Sequence, residues 1–222
     1  MKRVLAISTH PDDETLGAGG TLLKHRSLGD EVHWFLSTEA FAPAYSAEQI
    51  ERQKAYVDRI AEMYGVTSLH WAHLPTTRLA DLPMEEIIAP LRKAIDEIKP
   101  QWIYTTGSHD VHTDHGVTFA ALMTAVKSFN RTAGLERIVT YEVISSTDVY
   151  PASRASHFVP NVYSNVTEFI DDKLDIMSVL TDELHPAPLP RSLESIRALA
   201  RYRGSTIGVP YAEAFMLQFE AY

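Results

Sequence analysis

The sequence predicts a single α/β domain spanning residues 1–222, and three observations support this fold class. A chain of 222 residues is within reach of one large α/β domain, and it is too short for two ordinary domains joined by a linker. With 45% hydrophobic and 22% charged residues, the chain can bury a substantial core, which excludes wholesale disorder. Short apolar runs alternate along the chain with stretches of helical periodicity, which is typical of strand–helix units.

Three strand–helix units occupy the first half of the chain. Apolar runs predict the strands, and apolar residues at helical spacing predict the helices. Gly65 is a signal for a helix C-terminus, and Pro90 should bend or delay the third helix. In order, the predicted elements are a strand at 4–9, a helix that opens at 19–26 and ends near Gly29, a strand at 32–36, a helix at 46–64, a strand at 68–71 and a helix at 84–98.

The alternation continues in the second half of the chain. Residues 215–221 alternate between apolar and polar side chains, which predicts a closing strand. Before it come a strand at 102–106, a helix from about 115 to 128, a strand at 138–144, and helices at 169–184 and 193–203. Because strands alternate with helices, we expect a mainly parallel, Rossmann-like sheet with helices on both faces.

The composition excludes several classes of function. The 20 Lys and Arg residues are outnumbered by 29 Asp and Glu, and a net charge of −9 without a basic patch argues against nucleic-acid binding. There are no cysteines, so any metal must be held by His, Asp and Glu. The apolar start is too short for a secretory signal, and no stretch is long enough to span a bilayer. We therefore expect a cytoplasmic protein without a transmembrane segment.

Two loops rich in His and Asp follow two of the predicted strands. Residues 10–14 read His-Pro-Asp-Asp-Glu after the first strand, and residues 109–115 contain three histidines and two aspartates after the fourth. Functional loops of an open α/β sheet lie at the carboxyl ends of its strands. Imidazole and carboxylate groups can supply the three protein ligands of a catalytic zinc. The alternatives are a turn and helix cap for the first loop and surface histidines for the second.

A dinucleotide-binding module is a rival interpretation, because the segment Gly17-Ala18-Gly19-Gly20 follows the first strand. The G-x-G-x-x-G pattern requires a third glycine, and Leu22 stands at that position. In addition, residues 10–16 lie between the end of the predicted strand and the first glycine. We therefore interpret these glycines as allowing close packing of a helix beside the first loop.

The two loops resemble the signature motifs of the LmbE-like, or PIG-L, family of zinc-dependent N-deacetylases, which remove acetyl groups from N-acetylglucosaminyl conjugates. The resemblance is carried by His10-Pro11-Asp12-Asp13-Glu14 and His112-Thr113-Asp114-His115. Softer matches follow in the same order at 74–79, 141–143, 158–161, 190–192, 203–204 and 211–215. Two segments depart from bacterial relatives: Leu180-Thr181-Asp182-Glu183 stands where Tyr-x-Ser-Gln is frequent, and Arg52-Gln53-Lys54-Ala55 where Arg-x-x-Glu is frequent. Both departures concern the acceptor end of the substrate.

The resemblance implies that His10, Asp13 and His115 bind zinc and that Asp12 is the general base. Histidine and carboxylate ligands suit ferrous iron as well as zinc. Glu14 is interpreted as structural.

Further roles are expected for two residues of the second motif. His112 lies three residues before His115 and can face the same cavity, where as an imidazolium it would stabilise an oxyanion or protonate a leaving amine. Asp114 is expected to orient that imidazolium. The roles of three other residues are left open between site and structure: Asp110, Arg78 and Arg191.

These implications define the predicted function. The protein would hydrolyse the acetamide of an N-acetylglucosaminyl or related aminosugar conjugate to a free amine and acetate, using Zn²⁺ or Fe²⁺. Its substrate would be a small molecule or a glycan, and the resemblance also implies a homo-oligomer with an interface within residues 150–192. The alternative is a catalytically silent metal- or sugar-binding protein, which would keep the metal ligands but would not require Asp12 and His112.

Overall fold

Seven strands form one mixed sheet flanked by six helices in the computed structural model, which describes residues 1–131, 133–151 and 157–221. Within these residues no helix is long and apolar enough to cross a membrane. The strands are β1 Arg3–Ser8, β2 Glu31–Glu39, β3 Ser68–Pro75, β4 Trp102–Thr105, β5 Arg137–Tyr141, β6 Val162–Asn165 and β7 Ala212–Glu220. The helices are α1 Asp13–Ser27, α2 Ala47–Tyr64, α3 Met84–Ile98, α4 Thr113–Ala125, α5 Ile170–Met177 and α6 Leu193–Ile207.

The strand order is β3-β2-β1-β4-β5-β7-β6, and this order positions the two candidate loops. Strands β1 to β5 are parallel to one another, whereas β7 pairs antiparallel with both β5 and β6. After β1 the chain moves to one side of the sheet, and after β4 it moves to the other. The loops that leave the adjacent ends of β1 and β4 therefore border the crevice in which open α/β sheets bind ligands.

Helices cover both faces of the sheet, as predicted. Val4 and Ala6 point to the core shared with α1, α2, α5 and α6, whereas Leu5 and Ile7 point to the core shared with α3 and α4. This division follows from the alternation of side chains along a strand. The single α/β domain expected from the sequence is confirmed at this level.

Helix α1 begins at Asp13, six residues earlier than predicted. Its glycines give a poor helical pattern, which explains the late prediction. A Cβ atom at Gly17 would overlap the ring of Tyr141, and one at Gly20 would lie 2.8 Å from Cβ of Val166. The interpretation of these glycines as allowing close packing is confirmed.

Several other element boundaries differ from the prediction. Strand β3 continues to Pro75, α5 is limited to eight residues, and α6 extends to Ile207. Helix α3 covers the predicted range although it contains Pro90. Strand β6 was not predicted, because its four residues are too few to show an alternating pattern.

A buried ion pair between Lys173 and Glu213 forms hydrogen bonds with the backbone in the middle of α1. Glu213 of β7 accepts hydrogen bonds from the backbone N–H groups of Gly20, at 2.9 Å, and Thr21, at 2.8 Å. Lys173 of α5 donates to the Leu16 carbonyl at 2.8 Å and to Glu213 at 2.7 Å. In a regular helix the Gly20 N–H would pair with the Leu16 carbonyl. The ion pair thus provides a hydrogen-bond partner for the Gly20 N–H and another for the Leu16 carbonyl, and it connects α1 to α5 and β7.

Replacing Glu213 with glutamine is expected to lower the free energy of unfolding by about 3–5 kcal/mol, because it leaves a buried Lys173 without its counter-charge. Both side chains are only 3% exposed. Urea denaturation measures the change, and Asp171→Asn is the matched control, since Asp171 pairs with Arg197 on the surface. Equal stabilities of the two variants would contradict the structural role assigned to this pair.

Candidate metal centre and active site

The two candidate loops meet at the carboxyl ends of β1 and β4. These strands are paired from Val4 opposite Trp102 to Ile7 opposite Thr105, and the hydroxyl groups of Thr9 and Thr106 lie 3.1 Å apart just beyond them. Each loop leads directly into a helix: Asp12 is the N-cap of α1, and His112 is the N-cap of α4. The sheet thereby brings together residues that are about a hundred positions apart in the sequence.

Three side chains place potential ligand atoms close together. His10 Nδ1 lies 3.2 Å from His115 Nε2, which lies 3.2 Å from Asp13 Oδ1, and His10 Nδ1 lies 3.6 Å from Asp13 Oδ2. Tetrahedral ligand atoms about 2.0–2.1 Å from a zinc ion are about 3.3–3.4 Å apart. Asp13 Oδ1 is buried and accepts no hydrogen bond from the described residues. The donor set therefore fits a divalent metal.

His112 belongs to a wider group at the same point. His10, His112 and His115 each offer a nitrogen, and these three atoms lie within 4.8 Å of one another. The ring of His112 is stacked on that of His115 with centroids 4.8 Å apart. His112 Nδ1 accepts a 3.3 Å hydrogen bond from the backbone N–H of Asp114, so its proton resides on Nε2. His112 is thus a fourth polar side chain of the site, beside His10, Asp13 and His115.

Asp110 lies against the outer nitrogen of His115. Its Oδ2 is 3.1 Å from His115 Nδ1 and accepts hydrogen bonds of 2.8 Å from the hydroxyl groups of Ser146 and Thr147. Its Oδ1 accepts the backbone N–H of His112 at 2.8 Å. Carboxylates in this position orient the histidine ligands of metal sites. The structure therefore places Asp110, whose role was open, behind a candidate ligand.

The carboxylate of Asp114 lies beside His10 and the segment after β3. Its Oδ2 lies 3.5 Å from His10 Nε2, and its two oxygens accept the backbone N–H groups of Thr77, at 2.6 Å, and Leu79, at 3.1 Å. These amides tie the carboxylate to the segment after β3. The expectation that Asp114 orients the His112 imidazolium stays a prediction, because the described contacts of this carboxylate are with His10, Thr77 and Leu79.

The charges in the site favour cations beside its carboxylates. Burial alone would lower the pKa of His10, but hydrogen bonding to Asp114 and Asp13 raises it to about 9. Burial alone would also lower the pKa of His115, but the charge of Asp13 and the contact with Asp110 raise it to about 10. Burial alone would raise the pKa of Asp13, yet His115 and His10 hold it well below its usual range. The carboxylates thus favour positive charge at this point of the site.

Asp12 is held by an arginine from the far end of the chain. Its Oδ2 accepts a 2.6 Å hydrogen bond from Arg191 Nη1, which also donates to Glu183 Oε2 at 2.6 Å. Arg191 Nε donates to the Ser145 hydroxyl at 2.9 Å. Burial raises the pKa of Asp12, while the charge of Arg191 lowers it. Arg191 is therefore part of the site, and Glu183 is a further member that the sequence did not indicate.

Arg78 stands apart from this arrangement. Its guanidinium donates to Asp81 at 3.0 Å, and both side chains are more than half exposed.

The backbone of the residue before Arg78 is unusual, since Thr77 has a positive φ of 62°. Ser145 and Arg191 share this feature, with φ of 82° and 62°. Such strained conformations persist where the surrounding structure requires them and cluster at functional sites.

Two adjoining cavities open beside the metal centre. One, of about 170 Å³, is lined by His10, Asp12, His112 and Arg191 among others. The other, of about 400 Å³, extends towards α2 and residues 180–183. The cavities share four lining residues: Pro11, Tyr45, Gln53 and Glu183. A substrate can therefore reach from the metal centre into the larger cavity.

The fold and the site define an α/β protein with a cluster of His side chains, able to hold a metal ion, at the ends of β1 and β4. Residues 5–126, which include both candidate loops, match the model of the PIG-L family, described as GlcNAc-PI de-N-acetylase. This match covers more than half of the chain. The protein belongs to the PIG-L family, and the resemblance seen in the sequence is confirmed.

Relatives of known name support this membership. The chain is 26% identical to diacetylchitobiose deacetylase of Thermococcus kodakarensis, over 96% of this chain and 82% of that protein. It is 27% identical to the probable N-acetyl-alpha-D-glucosaminyl L-malate deacetylase 2 of Bacillus cereus, over 78% of this chain and 80% of that protein. These relatives differ in the group attached to the aminosugar.

Solved structures with the same fold include enzymes of two kinds. The N,N'-diacetylchitobiose deacetylase from Pyrococcus horikoshii superposes with a TM-score of 0.78 at 22% identity, over 98% of this chain and 84% of that chain. The 4-carboxy-2-hydroxymuconate hydratase from Pseudomonas putida superposes with a TM-score of 0.74 at 17% identity, over 100% and 98%. The shared fold alone does not select the reaction.

Proposed function

We propose that the protein is a zinc-dependent N-deacetylase that hydrolyses the acetamide of an N-acetyl aminosugar conjugate to a free amine and acetate, with ferrous iron as the alternative metal. The observation that carries this proposal is the position of Asp12. It is a buried carboxylate that precedes Asp13 in the sequence, and it lines the same cavity as His10 and His112. A metal site with a neighbouring proton acceptor is what amide hydrolysis requires.

His10, Asp13 and His115 are the proposed metal ligands, because His115 Nε2 lies 3.2 Å from both His10 Nδ1 and Asp13 Oδ1, close to the spacing of tetrahedral ligand atoms. When bound there, a divalent metal polarises the acetamide carbonyl and lowers the pKa of a water molecule. Asp110 and Asp114 hold the outer nitrogens of His115 and His10, which fixes the ring orientations.

Asp12 is the proposed general base. It takes a proton from the attacking water and gives that proton to the leaving nitrogen as the carbon–nitrogen bond breaks, so that a free amine and acetate are released. Successive residues at a helix start project about 100° apart, so Asp12 and Asp13 serve different partners. Arg191 holds the Asp12 carboxylate in one orientation, and its charge opposes the rise that burial causes in the pKa of Asp12.

His112 is the proposed donor to the oxyanion. Burial lowers its pKa to about 4, with further lowering by the charges of His10 and His115. The ring is therefore neutral at physiological pH, and its Nε2–H group donates a hydrogen bond to the oxyanion. This role replaces the imidazolium expected from the sequence.

Acetate release tests the proposed function against its rivals. We expect the metal-loaded protein to release acetate from at least one of a set of N-acetylglucosaminyl compounds that differ in the attached group. Metal binding with no acetate from any of them would favour the silent metal- or sugar-binding protein. Addition of water to an unsaturated carboxylic acid by the same preparation would instead favour a hydratase.

Further properties remain proposals. We propose that residues 1–222 act as one catalytic domain on a Rossmann-like sheet, supported by the parallel order β3-β2-β1-β4-β5. We also propose a cytoplasmic protein that binds no nucleic acid, supported by the net charge of −9. The homo-oligomer stays a prediction: part of the expected interface, 152–156, lies outside the described residues, while Val159 and Leu189 within it are exposed.

A further inference from the structure

We propose that the cavity beside the metal centre selects an uncharged sugar as the group attached to the aminosugar and rejects an anionic one, and that Glu183 determines this preference. This inference rests on the proposed function. It concerns the larger cavity between α2 and residues 180–183.

The volumes of the two cavities favour a substrate that extends from one cavity into the other. The cavity at the metal centre measures about 170 Å³, which is below the roughly 300–1,000 Å³ of small-molecule sites. The adjoining cavity measures about 400 Å³, and together they fall within that range. Since Glu183 and Gln53 line both cavities, they stand where the aminosugar and its attached group would meet.

The uncharged side chains among those that line the larger cavity suit the hydroxyl groups and ring faces of a sugar. Tyr45 and Tyr56 supply aromatic surface with a polar tip. Gln53 uses its side-chain carbonyl to accept the Ala40 N–H at 2.8 Å, and Gln49 uses its own for the Ser46 N–H at 2.9 Å. The NH₂ groups of both glutamines are left to donate hydrogen bonds.

The arginines of the two cavities are already occupied by carboxylates of the protein. Arg52 donates to Asp182 at 2.7 Å and to Glu48 at 3.4 Å. Arg191 is shared between Asp12 and Glu183, at 2.6 Å each. An anionic ligand is normally recognised by an arginine that can turn its guanidinium towards it. Here such a ligand would have to displace a carboxylate from one of these pairs.

Glu183 adds negative charge at the junction of the two cavities. Its Oε2 is bound to Arg191, and its side chain is 45% exposed. The other oxygen forms no hydrogen bond with the described residues, so it can accept one from a sugar hydroxyl. The same charge repels a carboxylate or phosphate in the larger cavity. Glu183 therefore favours a hydroxyl-bearing group and disfavours an anionic one.

A pair of matched disaccharides tests this preference. N-acetylglucosamine is linked β-1,4 either to glucose or to glucuronate, so that the substrates differ only in a hydroxymethyl group or a carboxylate. We expect kcat/KM for acetate release from the metal-loaded protein to be about tenfold or more higher for the glucose compound. The ratio should fall as the salt concentration rises, because salt screens the repulsion.

Substitution of Glu183 by glutamine is expected to reduce this ratio at least about threefold. Any effect of the substitution on Arg191 and Asp12 changes both substrates alike and cancels in the ratio. Asp182→Asn removes a second cavity charge and should shift the ratio in the same direction, which provides a test if the first variant does not fold. Asp171→Asn, which removes an equal charge from the exposed face of α5, is the control and should keep the wild-type ratio.

The outcomes separate this inference from the proposed function. Equal kcat/KM values for the two disaccharides, or a wild-type ratio in both cavity variants, would overturn the inference while acetate release continued. Absence of acetate from both disaccharides and from N-acetylglucosamine itself would overturn the proposed function, and this inference with it.

Discussion

Substitution of Asp12 by asparagine is expected to lower the rate of acetate release by roughly 10²–10⁴, the usual contribution of a positioned proton acceptor. Asparagine keeps the size of the side chain and can still accept a hydrogen bond from Arg191, but it cannot take a proton from water. Because the metal is assigned to His10, Asp13 and His115, its content in the purified protein should stay near the wild-type value.

Two measurements make the Asp12 variant informative. Metal content and the thermal midpoint should match those of the wild type, which separates a chemical defect from a structural one. Full deacetylation by a variant that retains its metal would show that another group is the base. Loss of metal from this variant would instead show that Asp12 is a ligand.

The strand–helix alternation was sufficient to predict the α/β fold, because buried parallel strands are continuous apolar runs. Boundaries were predicted less well where packing overrides local preference. Gly17 and Gly20 lower the helical propensity of α1, yet Tyr141 and Val166 require them at that distance. Strand β6 depends on pairing with β7, and no local signal marks it.

Contacts between distant residues explain what the sequence could not show about the site. Asp12 and Arg191 are separated by 179 positions, and nothing in either segment indicates their ion pair. The hydrogen bonds of Asp114 with the backbone N–H groups of Thr77 and Leu79 could not be predicted, because they depend on the conformation of a distant segment in which Thr77 adopts a positive φ. A sequence motif identifies the residue types of a site, but it does not show how their side chains are oriented.

The two departures from bacterial relatives acquire a shared meaning in the structure. Arg52 belongs to one departing segment and Asp182 to the other, and the two side chains form a 2.7 Å ion pair on the wall of the larger cavity. Glu183 belongs to the second segment and borders the metal centre. Departures that are far apart in the sequence therefore lie together where the attached group of the substrate is proposed to bind.

Replacing a proposed ligand should remove both metal and activity. We expect His115→Ala and Asp13→Asn to lose most of the bound metal after dialysis and to lose activity at least as severely as Asp12→Asn. Metal analysis of the dialysed proteins measures this loss. His73→Ala is a matched control, since His73 is a half-exposed imidazole on β3 that pairs with Glu39, and it should keep both properties.

The same series decides between the two possible ligand sets. If His10, Asp13 and His115 hold the metal, His112→Ala keeps its metal and loses activity, because only the donor to the oxyanion is removed. If the three histidines hold it, His112→Ala loses metal while Asp13→Asn retains it. The 3.2 Å distance from Asp13 Oδ1 to His115 Nε2, together with the lack of any hydrogen bond to that buried oxygen from the described residues, favours the first outcome.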